Sequence, residues 1–129
     1  MPAAVLVDTS IWVDHFRNRN AALADLLAQE RVLMHPFVLT ELACGTPPAP
    51  RKRTLGDMAL LRAAKQASQS EVQDFIERER LYGHGCGLVD VMLLASTLMT
   101  PGATLWTLDQ SLAALARRFD VCHVPLGPH

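Results

Sequence analysis

Four acidic residues stand out because each lies beside an apolar segment of the chain: Asp8, Glu41, Asp90 and Asp109. Carboxylates that cluster repel one another and do not all stay ionised unaided. Mg²⁺ or Mn²⁺ removes that repulsion and prefers oxygen ligands. Such a site orients a water molecule, helps to deprotonate it and stabilises charge on a phosphodiester during in-line attack. The predicted chemistry is therefore metal-dependent phosphodiester hydrolysis that leaves a 3′-hydroxyl and a 5′-phosphate.

Each of these acids also has a simpler interpretation. Asp8, Asp90 and Asp109 stand near expected helix starts, where an aspartate often caps free backbone N–H groups. Glu41 is expected on the packed face of its helix, where an unpaired carboxylate is costly. That face would also carry Phe37, Val38 and Cys44. The alternative for Glu41 is a solvated position at the edge of the apolar stripe.

The elements that must position these acids alternate between short apolar strands and helices. Strands are predicted at 3–7, 31–34, 103–107 and 121–124. Helices are predicted at 11–16, 21–29, 36–44, 55–67, 70–82, 88–99 and 109–118, with Ser70 and Gln73 as a capping box. This alternation indicates an α/β fold with a parallel sheet covered on both faces. Because ligands bind beyond the carboxyl ends of parallel strands, Asp8 and Asp109 are predicted at one sheet edge.

The bulk composition permits a nucleic-acid partner without requiring one. A chain of 129 residues suits one domain spanning 1–129. Its 13 acids and 12 bases give a net charge of −1. With four acids assigned to the site, nine remain against 12 bases, so the rest of the protein would carry +3. Most of these bases are arginines, whose planar guanidinium suits phosphate.

Cellular location is predicted from the cysteines and from the apolar segments. Three widely spaced cysteines are expected to be reduced thiols, as in a cytoplasmic protein. The apolar segments are too short for a signal peptide or a membrane span. We therefore expect a cytoplasmic location and no membrane partner.

Four segments carry these acids in a recognisable order: VLVDTSIWVDHF, HPFVLTELACG, GLVDVMLLAS and LWTLDQSLAALA. In order and spacing the sequence resembles PIN-domain nucleases, and in particular the VapC toxins of bacterial toxin–antitoxin pairs. The four segments together span most of the chain, and each contributes one acid.

The resemblance implies more than the residues show by themselves. It implies a three-layer α/β/α sandwich and a site in which Asp8, Glu41, Asp90 and Asp109 hold Mg²⁺ or Mn²⁺. It further implies that the hydroxyl of Thr9 or Ser10 supports the first acid and that Thr107 lies near the fourth. VapC toxins usually form homodimers, cleave RNA (often tRNA or ribosomal RNA) and are blocked by a cognate VapB-type antitoxin. The near-neutral net charge departs from the basic surface expected of an RNA-binding protein.

Other interpretations remain open at this stage. The chain is alternatively a catalytically silent PIN-like RNA-binding module, or a metal-dependent nuclease that acts on DNA. A metal-free mechanism would need a histidine pair, for which His15 and His35 are nearest in sequence. Trp12 and Trp106 could stack on bases, although Trp106 falls in an expected buried strand.

Two further segments could contact RNA or a protein partner. The basic run 51–53 is either a solvated loop or a contact to RNA backbone. The region 55–82 could serve a dimer or an antitoxin groove. A zinc site formed by His84, Cys86, Cys122 and His123 is disfavoured, because the spacing within each pair is too tight.

Overall fold

The computed structural model describes residues 3–125 and contains a four-stranded, fully parallel sheet. The strands are β1 (Val5–Val7), β2 (Val32–Met34), β3 (Arg62–Ala63) and β4 (Thr104–Trp106). The helices are α1 (Thr9–Arg17), α2 (Ala21–Ala28), α3 (Pro36–Cys44), α4 (Arg51–Met58), α5 (Gln69–Glu79), α6 (Leu88–Met99) and α7 (Gln110–Arg118).

The strand order β3-β2-β1-β4 divides the connections into two groups. The chain steps from β1 to β2 to β3 in one direction and then crosses to β4 on the far side of β1. Because crossovers between parallel strands are right-handed, α1 to α4 cover one face and α5 to α7 the other. The helix contacts agree, since α3 packs on α1 and α4 whereas α6 packs on α5 and α7. The predicted three-layer α/β/α sandwich is confirmed.

The core lies along β1 and α6. All three residues of β1 are fully buried, and the register pairs Leu6 with Leu33 on one side and with Leu105 on the other. Helix α6 has the bounds predicted from its apolar sequence and is buried over seven consecutive residues, from Val91 to Thr97. A rigid sheet and a buried helix therefore hold the segments that carry Asp8 and Asp90.

The predicted helix over 55–67 is wrong. Helix α4 begins earlier, at Arg51, and ends at Met58, and the chain then enters β3. Strand β3 is short and exposed, and it forms because its backbone pairs with β2 (Leu33 with Arg62, Met34 with Ala63). No local pattern in the sequence records that pairing. The basic run 51–53, predicted as loop, is the first turn of α4 and is exposed.

Two further expectations need correction. The capping box of α5 is formed by Ser68 and Glu71, two residues before the predicted start at Ser70. The predicted strand at 121–124 is reduced to a single bridge between Cys122 and Leu105, so this segment only extends the edge of β4. No helix within residues 3–125 has the length and apolarity needed to cross a membrane.

Candidate metal centre

Asp8 lies where predicted, at the carboxyl end of β1, and its side chain does not cap α1. The Oδ2 atom accepts a hydrogen bond from the Thr107 hydroxyl at 2.7 Å and another from the Ser10 hydroxyl at 2.9 Å. The carboxylate is almost fully buried, with 7% of the residue exposed. The capping interpretation of Asp8 is therefore wrong, because two hydroxyls hold the carboxylate at the sheet edge.

These two hydroxyls also join the ends of β1 and β4. The Ser10 hydroxyl accepts from the Leu108 N–H at 3.0 Å, and the Thr107 hydroxyl accepts from the Asp109 N–H at 3.0 Å. Each hydroxyl thus accepts a hydrogen bond from a backbone N–H of the β4–α7 connection and donates one to the Asp8 carboxylate. Every donor in this set of hydrogen bonds points toward the Asp8 oxygen, so the two hydroxyls hold the carboxylate in one orientation.

Asp109 occupies the N-cap position of α7, and its Oδ1 atom accepts from the Leu112 N–H at 2.9 Å. The capping interpretation is therefore confirmed for Asp109. Capping uses only one oxygen of the Asp109 carboxylate, and the Asp109 N–H is bonded to the Thr107 hydroxyl. Capping therefore does not exclude a role for the second oxygen as a metal ligand.

Glu41 is exposed on α3, and the expectation that it points into the packed face is wrong. The buried residues of that helix are Val38 and Leu42. Glu41 instead accepts a hydrogen bond at 2.7 Å from the hydroxyl of Thr9, which is the first residue of α1. This bond joins the two helices beside Asp8 and turns the Glu41 carboxylate toward the carboxyl end of β1.

Asp90 stands in the first turn of α6, where its Oδ2 atom accepts from the Gly87 N–H at 3.4 Å. Burial is the main cause that raises the pKa of Asp90, and the Gly87 N–H opposes it. The negative charges of Asp109, Asp8 and Glu41 raise this pKa further. All four acids, carried by four separate segments, are therefore close enough to interact electrostatically.

Cys86 is a neighbour of this cluster that the sequence analysis did not connect with it. Burial raises the pKa of its thiol to about 11, and the charges of Asp90 and Asp109 contribute. The thiol therefore stays protonated at neutral pH. Its position directly before Gly87 in the chain was the available signal, since this loop leads into the helix that carries Asp90.

The donor set suits a hard divalent cation, although the four carboxylates stand apart. Within residues 3–125, no three His, Cys, Asp or Glu side chains lie close enough together to hold a metal ion by themselves. Mg²⁺ usually keeps several water ligands and takes only one or two protein carboxylates directly. Separate carboxylates that still affect one another electrostatically are compatible with that coordination, so the residues present fit Mg²⁺ or Mn²⁺.

The competing sites receive no support from the described part of the chain. His35 is fully buried, and its Nδ1 atom accepts from the Phe37 N–H as the cap of α3. The Nδ1 atom of His15 accepts from the Asn20 N–H. Trp12 and Trp106 are both buried in the core, so neither presents a face to a base. Among residues 3–125 all three cysteines are free thiols, as expected.

The fold is a parallel α/β sheet with Asp8 and Asp109 at its carboxyl edge, and the family model for the PIN domain matches residues 5–118. The chain therefore belongs to the PIN-domain family. Within that family it is 40% identical over 110 residues to Ribonuclease VapC32 of Mycobacterium tuberculosis, in each of two strains. The match spans 85% of this chain and 88% of the relative. The resemblance to PIN-domain VapC proteins is thereby confirmed.

Two solved structures share the fold. VapBC-1 from nontypeable Haemophilus influenzae matches with a TM-score of 0.66 at 16% identity, over 92% of this chain and 95% of that chain. PAE2754 from Pyrobaculum aerophilum matches with a TM-score of 0.57 at 16% identity, over 92% of this chain and 90% of that chain.

Proposed function

We propose that this protein is a Mg²⁺- or Mn²⁺-dependent endoribonuclease that acts as the toxin of a type II toxin–antitoxin pair. The observation that carries the proposal is the hydrogen-bond network at the carboxyl end of β1, where Ser10 and Thr107 hold Asp8 and Thr9 holds Glu41. The convergence of the four carboxylates on one cation is part of the proposal, and it is supported by the electrostatic effect of Asp109, Asp8 and Glu41 on Asp90. A relative that is 40% identical over most of the chain is named a ribonuclease, which supports RNA as the substrate.

The four carboxylates of Asp8, Glu41, Asp90 and Asp109 would hold the cation. When bound, the cation supplies the positive charge that activates water and stabilises the phosphodiester during in-line attack. Attack on phosphorus breaks the bond to the 3′ oxygen, which leaves with a proton as a 3′-hydroxyl, and the other fragment carries a 5′-phosphate. Ser10 and Thr107 orient the Asp8 carboxylate, and Thr9 orients Glu41.

We extend the proposal to the partners. The matching structure of VapBC-1 supports a cognate VapB-type antitoxin for this chain. We further propose a homodimer that acts in the cytoplasm on tRNA or ribosomal RNA. A small reading frame next to this gene, whose product suppresses the toxicity of this protein on co-expression, would support the toxin role. Full toxicity in the presence of that product would contradict it.

The catalytic proposal is tested by Asp8→Asn and Asp90→Asn, which keep side-chain size and remove one charge each. With Mn²⁺, each variant is expected to cleave RNA at least about 100-fold more slowly, since even outer-shell partners of a metal site contribute 10–100-fold. Asp74→Asn, on the exposed surface of α5, makes the same chemical change outside the proposed site and should keep full activity. If both site variants cut RNA as fast as this control, the proposal fails.

The two alternatives are separated by substrate and by metal uptake. A panel of RNA, single-stranded DNA and flap DNA distinguishes a ribonuclease from a nuclease that acts on DNA. Calorimetry with Mn²⁺ distinguishes an enzyme from a silent binding module. RNA binding without Mn²⁺ uptake would favour the module, and we expect both uptake and cleavage.

A further inference from the structure

A groove leads away from the four-carboxylate site between α1 and α3. It encloses a cavity of about 370 Å³ and begins at the hydrogen-bonded pair Thr9 and Glu41. It continues along Val13 and Phe16 of α1 and ends at Thr46 in the loop after α3. Small-molecule sites enclose roughly 300–1,000 Å³, so the groove has the capacity for about one nucleotide.

The walls of the groove suit a nucleobase. Val13 and Phe16 are half-buried on one side, while Leu42 and Pro47 are buried on the other. Phe16 packs against Trp12, with ring centroids 6.2 Å apart, so its position in the wall is fixed by the core. An apolar slot with an aromatic wall favours a base, since stacking contributes without hydrogen-bond specificity.

The far end of the groove is basic. Arg17, the last residue of α1, is exposed and lines the groove. The guanidinium of Arg51 donates to the Ala43 carbonyl at the end of α3, which places the run 51–53 beside the same end. Within residues 3–125 the ion pairs all use Glu79 of α5, so no carboxylate neutralises Arg17 or Arg51.

We propose that this groove binds the single-stranded RNA nucleotide next to the scissile phosphate, with its base between α1 and α3 and its phosphate on Arg17. The inference rests on the proposed function and names a substrate subsite for it. The ends of the groove carry opposite charge, with Glu41 beside the proposed cation and Arg17 with Arg51 at the far end. RNA matches this pattern because each nucleotide supplies one flat base and one phosphate.

The test compares Arg17→Gln with Arg117→Gln in the full chain. Both arginines lie in the last turn of a helix, α1 and α7 respectively, so both changes remove the same helix-end charge. Affinity for a labelled single-stranded RNA is measured by fluorescence anisotropy at several salt concentrations, in an Asp90→Asn background that prevents cleavage. Arg17→Gln should weaken binding about 3- to 10-fold and reduce the salt slope by about 0.7, the value for one phosphate on a single strand.

A second variant and a mapping experiment complete the test. Thr46→Glu places a negative charge at the far end of the groove from an exposed loop position and should also weaken RNA binding. RNA containing 4-thiouridine should crosslink to residues of the groove on irradiation. Equal affinities and salt slopes for the two glutamine variants would overturn the proposal, and so would crosslinks that fall only outside the groove. Either result would favour a protein partner as the occupant of the groove.

The failure of this inference differs from the failure of the proposed function. If the wild-type protein cleaves RNA but Arg17→Gln binds RNA as Arg117→Gln does, only the groove assignment is lost. If the wild-type protein does not cleave RNA, the enzymatic proposal is lost, while the binding comparison still decides whether the groove takes RNA.

Discussion

Three hydroxyl side chains, two at the amino end of α1 and one just after β4, donate hydrogen bonds to two of the carboxylates. Ser10 and Thr107 both donate to Asp8, whereas Thr9 donates to Glu41. Asp8 is nearly buried and accepts two hydrogen bonds, so the protein itself fixes the position of its carboxylate. Glu41 is exposed and would otherwise sample many rotamers, so a single hydrogen bond accounts for much of its placement.

Replacing Thr9 with valine removes the donor to Glu41 and keeps the shape of the side chain. We expect Thr9→Val to weaken Mn²⁺ binding about 3- to 10-fold, since hydrogen bonds to charged groups contribute roughly 1.5–3 kcal/mol and exposure reduces that contribution. Thr9→Ser should restore affinity because it restores the hydroxyl. Calorimetric titration with Mn²⁺ measures the effect.

Thr40→Val is the matched control for this prediction. Thr40 is an exposed residue of α3 whose hydroxyl donates to the Pro36 carbonyl at 2.8 Å and not to a carboxylate. Its Mn²⁺ affinity should equal that of the wild type. Equal affinity for Thr9→Val and Thr40→Val would show that Thr9 does not position Glu41.

At the scale of elements, the caps decide where helices begin. The cap of α5 lies two residues earlier than the sequence predicts because Ser68 and Glu71 form a reciprocal pair. The Glu71 N–H donates to the Ser68 hydroxyl, and the Ser68 N–H donates to the Glu71 carboxylate. Hydrogen bonds from the Ser68 N–H and the Ser68 hydroxyl also hold the pKa of Glu71 below its ordinary value. Both Ser68 and Ser70 could cap by residue type, and the structure uses Ser68, which has Glu71 three residues later.

Ser68→Ala should destabilise the protein by about 1 kcal/mol, the typical cost of losing an N-cap. Ser70→Ala makes the same change two residues later and should change the free energy of unfolding by only a few tenths of a kcal/mol. Urea denaturation monitored by circular dichroism measures both. A larger loss for Ser70→Ala would place the helix start where the sequence pattern put it.

The burial of His35, which caps α3, leads us to expect that the stability of the protein depends on pH. Burial lowers the pKa of His35 below its ordinary value of 6.5, and burial with the charge of Arg31 lowers the pKa of His123. The unfolded chain therefore binds protons more readily than the native protein. Stability is full above about pH 6.5 and is lost as pH falls below it, at up to about 1.4 kcal/mol per pH unit for each group.

The measurement is urea denaturation at pH 7.5, 6.5 and 5.5. His35→Asn keeps an oxygen acceptor for the Phe37 N–H, so it should give a smaller pH slope than the wild type, with the His123 contribution remaining. His84→Asn, at an exposed position, should keep the full slope. An unchanged slope in His35→Asn would mean that His35 does not contribute to the acid destabilisation.

At the scale of the whole molecule, the site lies where the topology reverses. The chain runs outward from β1 in one direction through β2 and β3, and in the other direction through β4. The crevice at the carboxyl ends of β1 and β4 is the place where open α/β sheets bind ligands. Asp8 and Thr107 lie at this crevice because they directly follow those two strands.

Removal of divalent cations should destabilise the whole protein. A cation at about 100 times its Kd contributes about 2.7 kcal/mol to the native state, which corresponds to a Tm difference on the order of 10 °C for a chain of this length. Thermal denaturation with Mg²⁺ and with EDTA measures this difference. Asp90→Asn should show a much smaller one, and an equal Tm in both buffers for the wild type would contradict a metal centre.

The sequence by itself was enough to predict the parallel α/β sandwich, the bounds of α6 and the edge of the sheet where Asp8 and Asp109 lie. These features depend on local patterns: apolar runs, helix periodicity and an acid directly after a strand. Tertiary structure alone decided the rest. It formed β3 from an exposed segment through pairing with β2, directed Glu41 to Thr9 and away from the core, and brought the Thr107 hydroxyl to Asp8. Those outcomes depend on contacts between residues far apart in the chain, and no short stretch of sequence encodes the partner that a strand edge or a carboxylate will meet.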